Sequence, residues 1–371
     1  MIRRSLTPFL KEFLNSKILL LSGPRQVGKT YLSKNLITPY EYLNFDENHQ
    51  RQLIKEKSWK RDASLLVLDE IHKMKNWKRW LKGIYDTEGL NPPLLVTGSA
   101  RMDLFRKAGD SLAGRHYHLR LNPFSVKELG NSNIATIEQM MELGSFPEPF
   151  LSGSSRKANL WRKSHLEVII REDLVQLEAL RDLIRLEVLV NLLQQRVGSG
   201  LSYSNLAKDL EVSPHTVKKW IEVLEKFYII FVIYPYSKNL GKAIKKEPKV
   251  YFYDTGQVQG DDGAKLENLV ANHLLKRNQF LEDTEGRKIK LFYIRDKENR
   301  EIDFLIEEKN KISHLLEVKK SDDQFNTSLN YYSQKLKPDH ALQLVLRLGR
   351  EKDFENFKIR HLHEFLMNLE A

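Results

Sequence analysis

The chain has 371 residues, more than a typical single domain, and 41% of them are hydrophobic, which is enough for two or three buried cores. It contains no cysteine, which excludes disulfides, thiolate zinc sites and cysteine nucleophiles and agrees with a cytoplasmic location. The formal net charge of +11 favours an acidic partner such as nucleic acid, although a lysine-rich proteome would give the same excess.

Short apolar runs alternate with helix-length segments in the first third of the chain. The first run, residues 18–21, is too short to span a membrane and is predicted to be a buried strand rather than a signal peptide. Such alternation predicts an α/β fold in which a parallel sheet carries helices on both faces. Further strands are predicted at residues 41–45, 64–68 and 94–97 and helices at residues 30–37 and 77–85, all within an N-terminal domain of residues 1–130.

Three more domains are predicted after this one. Residues 131–198 form a helical region, because residues 159–197 are apolar at helical spacing and contain neither Gly nor Pro. Residues 199–256 have the outline of a winged helix-turn-helix, with Ser213 as N-cap and Pro214 at the first position of the second helix. Residues 257–371 are predicted to be an α/β domain with a helix at 264–277, strands at 289–295, 301–306, 314–318 and 341–346, and a helix at 324–336.

The sequence GPRQVGKT at residues 23–30 matches GxxxxGK[ST] in full and lies between a predicted strand and a predicted helix. Gly23 and Gly28 allow backbone N–H groups to turn toward phosphates, and Lys29 places a positive charge beside the β- and γ-phosphates. Thr30 offers a hydroxyl to Mg²⁺, and the helix N-terminus adds a favourable dipole. The sequence therefore predicts an ATP and Mg²⁺ site formed by Gly23, Pro24, Arg25, Gln26, Val27, Gly28, Lys29 and Thr30.

Acidic and small polar residues follow two of the predicted strands. In LLVLDE, residues 65–70, Asp69 is predicted to hold Mg²⁺ at the end of a buried strand, and Glu70 to polarise the attacking water. In LLVTGS, residues 94–99, either Thr97 or Ser99 would contact the γ-phosphate or orient the water, the alternative being an ordinary strand end. Together with the loop, these residues predict hydrolysis of ATP.

The runs GPRQVGKT, LLVLDEIHKMKNWKRWLKGIYD, LLVTGSA and LAGRHYHLRLNPFSVKEL resemble the bacterial and archaeal AAA-type ATPases that carry an uncharacterised C-terminal domain. The resemblance covers the whole chain in order. It implies that Ser99 occupies the sensor position and that Arg115 is a candidate arginine finger. Such a finger usually acts on the ATP of a neighbouring subunit, which implies a homo-oligomer; a structural salt bridge is the alternative role for Arg115.

A second candidate site is predicted in the C-terminal domain. Glu317 and Lys319 are two residues apart and share one face of their strand, and a hairpin would place Asp303 opposite them. Two carboxylates that hold Mg²⁺ and a lysine that steadies the attacking water suit phosphodiester cleavage, with Glu267 as a further ligand. The pattern resembles the PD-(D/E)xK nuclease-like fold. The alternatives are a solvated hairpin face and a DNA-binding remnant without cleavage.

Basic residues of the predicted winged helix suggest duplex binding. His215, Lys218 and Lys219 lie on the outward side of its second helix, and Trp220 is predicted to be core. A protein-interaction module is the alternative. The predicted wing contributes Lys238, Lys242, Lys245, Lys246 and Lys249.

The sequence therefore favours a cytoplasmic AAA-type ATPase that acts on nucleic acid, more specifically DNA, with no membrane partner. One alternative is a nucleotide-controlled switch that binds a protein partner and has an inactive nuclease-like domain. Another is an ATP-gated, metal-dependent nuclease.

Overall fold

The computed structural model describes residues 2–98, 112–131, 133–174, 182–237 and 247–371. The chain divides into two compact units. The first comprises Met1–Pro123 with the short segments Lys226–Tyr228 and Asp283–Glu285, and the second comprises the remaining residues. The predicted helical, winged-helix and nuclease-like domains fall almost entirely in the second unit, and the boundaries between them stay predictions.

Strands and helices alternate along the first unit. Its elements are α1 (Thr7–Phe13), β1 (Ile18–Ser22), α2 (Lys29–Lys34), β2 (Glu41–Asn44), α3 (Asn48–Glu56), β3 (Leu66–Asp69), a 3₁₀ turn (Ile71–Lys73), α4 (Trp77–Glu88), β4 (Leu94–Thr97) and β5 (His116–Arg120). The five strands form one parallel sheet in the order β2-β3-β4-β1-β5. The α/β class and the parallel sheet predicted from the sequence are confirmed.

Burial explains why the apolar runs of this unit form central strands. β1, β3 and β4 are buried along their whole length, as expected for parallel strands with both faces covered. On α4, Trp77, Leu81 and Ile84 recur at helical spacing and belong to the same core cluster as Leu20 of β1 and Val96 of β4. The apolar face of α4 is therefore part of the core that fixes the sheet.

The carboxyl ends of the parallel strands lie at one edge of the sheet. Asn44 pairs with Asp69, and Asp69 pairs with Thr97, across β2, β3 and β4. Thr97 pairs in turn with Leu21 of β1, and the phosphate loop begins directly after Ser22. The topology thus brings the loop, the acidic pair and the end of β4 to the same edge, where ligands bind in open α/β sheets.

Several elements of the first unit differ from the sequence prediction, among them α1 and α3, which have no counterpart among the predicted helices. The helix after the loop ends at Lys34 and not at residue 37, because the backbone N–H of Asn35 already closes the last turn on Leu32 and Ser33. β5 has no counterpart among the predicted strands. Only Leu119 of its five residues is buried, so the sequence there has no apolar run to indicate a strand.

Helices make up the first part of the second unit, and its strands follow with further helices among and after them. Its elements are α5 (Val126–Leu129), α6 (Ile134–Leu143), α7 (Pro147–Ser152), α8 (Ser155–Val168), a π-helical turn (Ile169–Leu174), α9 (Leu183–Gln194), α10 (Tyr203–Asp209), α11 (Pro214–Lys226), β6 (Ile230–Pro235), β7 (Lys249–Phe252), a 3₁₀ turn (Thr255–Gln257), α12 (Asp262–Glu285), β8 (Ile289–Arg295), β9 (Glu301–Glu308), β10 (Lys311–Lys319), α13 (Thr327–Leu336), β11 (His340–Val345), β12 (Lys352–Asp353), β13 (Lys358–His361) and α14 (Leu362–Met367).

The strands of this unit form one mixed sheet in the order β12-β13-β11-β10-β9-β8-β6-β7. β6 and β7 make the antiparallel hairpin that the sequence assigns to the wing. β6 also pairs in parallel with β8, through Tyr234 and Phe292. The hairpin of the predicted winged helix is therefore continuous with the sheet of the predicted nuclease-like domain.

The predicted helix-turn-helix segment is present as α10, a short turn and α11. The backbone N–H of Thr216 donates to Ser213 Oγ at 3.1 Å, which is the N-cap that the sequence predicts. α12 runs for 24 residues and extends beyond the predicted end at residue 277, because its first helix-ending signal is Gly286 in the left-handed conformation. No helix of the described segments is long and apolar enough to cross a membrane.

Candidate nucleotide site and carboxylate cluster

The phosphate loop has backbone conformations that favour glycine at two positions. Gly23 has φ of 141° and Gly28 has φ of 97°. At Gly23 there is also no room for a side chain, since a Cβ would lie 2.3 Å from the carbonyl oxygen of Leu121. The two glycines of the motif are therefore required by the local backbone, as the sequence predicts.

The loop holds its lysine against its own backbone. Lys29 is buried, and its Nζ donates to the carbonyl oxygens of Gly23, at 3.0 Å, and Pro24, at 2.7 Å. Val27 is fully buried, Arg25 is half-buried and Gln26 is exposed. Lys29 thus lies directly beneath the loop, while the side chain of Val27 contributes to packing and leaves only its backbone for a ligand.

Hydroxyl groups surround the carboxylate of Asp69. Thr30 Oγ1 donates to Asp69 Oδ2 at 3.2 Å, and Tyr42, on β2, donates its hydroxyl to the same oxygen at 2.5 Å. Thr97 Oγ1 donates to Asp69 Oδ1 at 2.6 Å. The backbone N–H of Glu70 donates to Oδ1 at 3.1 Å. The structure therefore joins the phosphate loop to the acidic residue that the sequence assigned to Mg²⁺.

Two of these hydroxyls change the sequence interpretation. Thr97 is fully buried with its hydroxyl directed to Asp69, so the structure places it as a neighbour of Asp69 rather than facing a phosphate. Tyr42 was not among the predicted site residues, since a tyrosine in a short strand gives no motif signal. Ser99, the other candidate, lies outside the described residues.

Thr30 and Asp69 fit an Mg²⁺ ion. A hydroxyl and a carboxylate are hard oxygen donors, and Mg²⁺ in nucleotide sites is usually held by one or two such groups together with water and phosphate oxygens. The two side chains already meet at 3.2 Å between Thr30 Oγ1 and Asp69 Oδ2. The donor set is therefore the kind that Mg²⁺ prefers.

Glu70 lies immediately beyond Asp69 in a left-handed backbone conformation, with φ of 56°. Its backbone N–H donates to the carbonyl oxygen of Thr97 at 2.9 Å, which anchors this turn to β4. Burial, and next the nearby Asp69 carboxylate, raise the pKa of Glu70. Lys73 Nζ and His72 Nε2 lie 3.6 and 3.5 Å from Glu70 Oε2. This is a carboxyl group in an environment that makes it more basic than usual.

Arg115 lies at the other edge of the sheet. It directly precedes β5, whose first residue pairs with Ile18 at the start of β1, whereas the loop leaves the end of β1. The length of β1 separates the two edges by roughly 13 Å. The guanidinium of Arg115 bonds to Asp86 of α4, with Nε–Oδ1 at 2.6 Å and Nη2–Oδ2 at 3.2 Å. The structure does not bring Arg115 to the phosphate loop of its own chain.

The C-terminal candidate residues come together around a lysine that the sequence interpretation placed elsewhere. Lys249 was predicted to belong to the basic wing, but it is buried, and its Nζ lies 3.0 Å from Glu267 Oε1 and 3.6 Å from Asp303 Oδ1. Its Nζ also lies 2.6 Å from Glu301 Oε1. The wing assignment of Lys249 is therefore wrong. The other wing lysines, Lys238, Lys242, Lys245 and Lys246, lie outside the described residues.

Glu317 and Lys319 form an ion pair on the neighbouring strand β10. Lys319 Nζ lies 2.8 Å from Glu317 Oε1, and the backbone N–H of Val318 donates to Asp303 Oδ2 at 2.9 Å. Burial, and next the Asp303 carboxylate, raise the pKa values of Glu267 and Glu317 to about 7. Within the described segments, no group of three or more acidic or histidine side chains is arranged to hold a metal ion. The proximity of the predicted residues is thus observed, but the metal role of Glu267, Asp303 and Glu317 gains no support.

α11 has one buried and one exposed side. Val217 and Trp220 are buried, whereas His215, Lys218 and Lys219 are exposed. The outward basic side predicted from the sequence is therefore present on this helix.

Comparison with known families divides the chain into three parts. Residues 15–130 match the family model of an AAA domain. Residues 134–259 and 262–365 match two domains of unknown function, DUF8612 and DUF4143. Most of the first unit therefore matches an AAA domain, while the winged-helix and nuclease-like assignments stay predictions.

Three relatives of the chain bear the name "uncharacterized protein". Proteins of Mycobacterium bovis and Mycobacterium tuberculosis are each 26% identical over 259 residues, an alignment that covers 68% of this chain and 58% of theirs. The chain thus matches little more than half the length of these relatives. A protein of Haemophilus influenzae is 22% identical over 318 residues, covering 72% of this chain and 78% of that protein.

Among solved structures, a variant of Thermotoga maritima RuvB is 19% identical, with a TM-score of 0.30 and coverage of 66% of this chain and 94% of that chain. A STAND signal-transduction ATPase from Pyrococcus horikoshii is 14% identical, with a TM-score of 0.24 and coverage of 76% and 48%. TM-scores this low do not define a common fold for the whole chain.

Proposed function

We propose that the chain binds ATP at residues 23–30 and hydrolyses it. The observation that carries the proposal is the hydrogen bond between Thr30 of the phosphate loop and Asp69 at the end of β3. A complete phosphate loop joined to a buried carboxylate, with a second carboxyl at Glu70, is the arrangement that phosphoryl transfer to water requires. The match of residues 15–130 to an AAA domain supports the same activity.

Each residue has a distinct part in this proposal. Lys29, now bonded to Gly23 and Pro24, turns its ammonium toward the β- and γ-phosphates. Thr30 and Asp69 would hold Mg²⁺, which would supply positive charge to the phosphate oxygens. Glu70 accepts a proton from the attacking water, a role that suits a carboxyl whose pKa is raised.

Two substitutions test hydrolysis. Lys29→Ala removes the charge that faces the phosphates and is expected to weaken ATP binding and turnover together. Glu70→Gln retains the shape of the side chain but cannot accept a proton, so ATP binding persists while turnover falls by about 100-fold or more. Lys55→Ala, at an exposed position of α3, is the matched control. Release of labelled phosphate is the assay, and equal turnover in wild type and Lys29→Ala would refute the proposal.

We further propose that this activity serves work on nucleic acid, DNA in particular. The supporting observation is the exposed basic side of α11, which carries His215, Lys218 and Lys219, in a chain of net charge +11. Lysines on a helix that neutralise phosphates release counterions, so affinity falls steeply as salt rises.

A salt titration of binding to a short DNA duplex tests this second proposal. Replacing both Lys218 and Lys219 by Ala is expected to reduce the slope of log K against log salt by about 2, close to one unit for each lost phosphate contact. The same pair of changes at exposed Lys11 and Lys55 should leave the slope unaltered. Absence of binding at low salt would favour a switch that acts on a protein partner.

A further inference from the structure

The carboxylate cluster of the second unit contains more negative groups than the sequence pattern indicates. Glu301 of β9 joins Glu267 of α12 and Asp303 of β9 around Lys249 of β7. Lys249 is 1% exposed, so its ammonium has no water to solvate it. A buried charge of this kind persists only with charged partners close by.

The ammonium and the carboxylates match in number. A lysine has three N–H donors, and three carboxylate oxygens lie 3.0, 2.6 and 3.6 Å from the Nζ of Lys249. Burial alone would lower the pKa of Lys249, but the three carboxylates outweigh it and raise the pKa, so the side chain stays charged. Three carboxyl groups therefore surround the ammonium of Lys249.

The oxygens of Glu267 and Asp303 that face Lys249 already have partners. Asp303 Oδ1 lies toward Lys249, and Oδ2 accepts the backbone N–H of Val318 at 2.9 Å. Glu267 Oε1 accepts the hydroxyl of Tyr251 at 2.7 Å in addition to Lys249. Glu301 also has Arg295 nearby, with Nε–Oε2 at 3.6 Å. A divalent ion between Glu267 and Asp303 would have to lie where the ammonium is.

We infer that Lys249 is the resident cation of this cluster and that its ammonium and a divalent metal ion exclude one another there. The inference concerns the second unit and does not depend on ATP hydrolysis. It gives the cluster a structural role, in which one lysine ties β7 to α12 and β9. It also means that the chain does not cleave phosphodiesters through a metal ion held by Glu267 and Asp303.

Removal of the lysine should convert the cluster into a divalent-cation site. Lys249→Ala leaves the carboxylates of Glu267, Glu301 and Asp303 without their cation and opens the volume of the side chain. Mn²⁺ is the probe, followed by electron paramagnetic resonance and by the midpoint of thermal unfolding. All variants carry Asp69→Asn, so that ions at the nucleotide site do not contribute.

The parent chain with Asp69→Asn is expected to bind no Mn²⁺ below about 1 mM, whereas Lys249→Ala should bind it at least about tenfold more tightly. Lys249→Ala should also unfold at a lower temperature, and Mn²⁺ should restore the midpoint, because a ligand that binds only the folded state stabilises it. Lys319→Ala removes the half-exposed lysine that pairs with Glu317 and should create no such site.

Two results would overturn the inference. One is Mn²⁺ binding by the parent chain that disappears on Asp303→Asn, since metal and lysine would then coexist. The other is a folded Lys249→Ala chain that gains no Mn²⁺ site. If Lys249→Ala does not fold without metal, Mn²⁺ binding by the parent chain tests the inference instead. Its failure to bind Mn²⁺ supports exclusion, and binding that is lost on Asp303→Asn contradicts it.

Discussion

The hydroxyls around Asp69 lead to a prediction about ATP turnover. Tyr42 and Thr97 each donate to this buried carboxylate, at 2.5 and 2.6 Å, and hold its two oxygens in a fixed orientation. Burial, and next the hydrogen bond to Asp69, raise the pKa of Tyr42, so the phenol remains a donor at neutral pH. Tyr42→Phe and Thr97→Val remove these donors with little change of volume. These substitutions should leave the Asp69 carboxylate in place but hold its oxygens less firmly in their orientation.

The size of the effect follows from the charge of the acceptor. A hydrogen bond to a charged group contributes about 1.5–3 kcal/mol. Asp69 keeps the Thr30 hydroxyl and the backbone N–H of Glu70 in either variant, so the lower figure applies. A loss of about 1.5 kcal/mol in the transition state corresponds to about a tenfold decrease in kcat. Because both hydroxyls bind one carboxylate, the double variant should deviate from additivity.

The assay is phosphate release measured over a range of ATP and Mg²⁺ concentrations. A positioning role predicts a lower kcat and a higher half-saturating Mg²⁺ concentration, with little change in KM for ATP, because Lys29 and the loop are intact. Tyr40→Phe, at a more exposed tyrosine beside β2, is the control. If Tyr42→Phe and Thr97→Val both turn over ATP at the wild-type rate and with the wild-type Mg²⁺ dependence, the hydroxyls have no positioning role.

Other predictions concern stability, pH and Arg115. Burial lowers the pKa of His273 to about 4 from its ordinary 6.5, so stability should fall as the pH falls through this window, by up to about 3 kcal/mol. Urea unfolding of His273→Gln should lose this part of the pH dependence, and the exposed His215→Gln should keep it. Leu81→Ala opens a cavity in the core of the first unit and should cost about 3 kcal/mol in urea unfolding, whereas the adjacent half-buried Lys82→Ala should cost much less. Arg115→Ala should leave ATP turnover of the dilute chain unchanged; a loss that is restored by mixing with chains inactivated in the phosphate loop would instead support an arginine finger acting between subunits.

The first unit is largely predictable because its signals are local. An apolar run predicts the first strand, and GPRQVGKT, which follows it, predicts a turn that requires glycine. LLVLDE likewise predicts a strand and the acidic residues at its end. β5 is not predictable in this way, since it is held by pairing with β1 rather than by its own apolar residues. Sequence spacing also could not show that Arg115 lies at the edge away from the loop.

Tyr42 and Lys249 show what local sequence leaves undetermined. Tyr42 reaches Asp69 only because β2 and β3 pair in a particular register, 27 residues apart in the chain. Lys249 belongs to a lysine-rich segment that suggests a solvated loop. Its burial depends on β7 pairing with β6 and on the approach of α12 and β9. Both environments arise from long-range pairing, which composition does not encode.

The parallel pairing of β6 with β8 has a practical consequence for dissecting the chain. A fragment that starts at residue 262, where the match to DUF4143 begins, would lose β6 and β7. β8 would then become an unprotected edge strand, a template for aggregation, with Phe292 and Tyr293 uncovered. The fragment would also lose Lys249 and leave its carboxylates to repel one another. A fragment that keeps the whole sheet must therefore begin before residue 230.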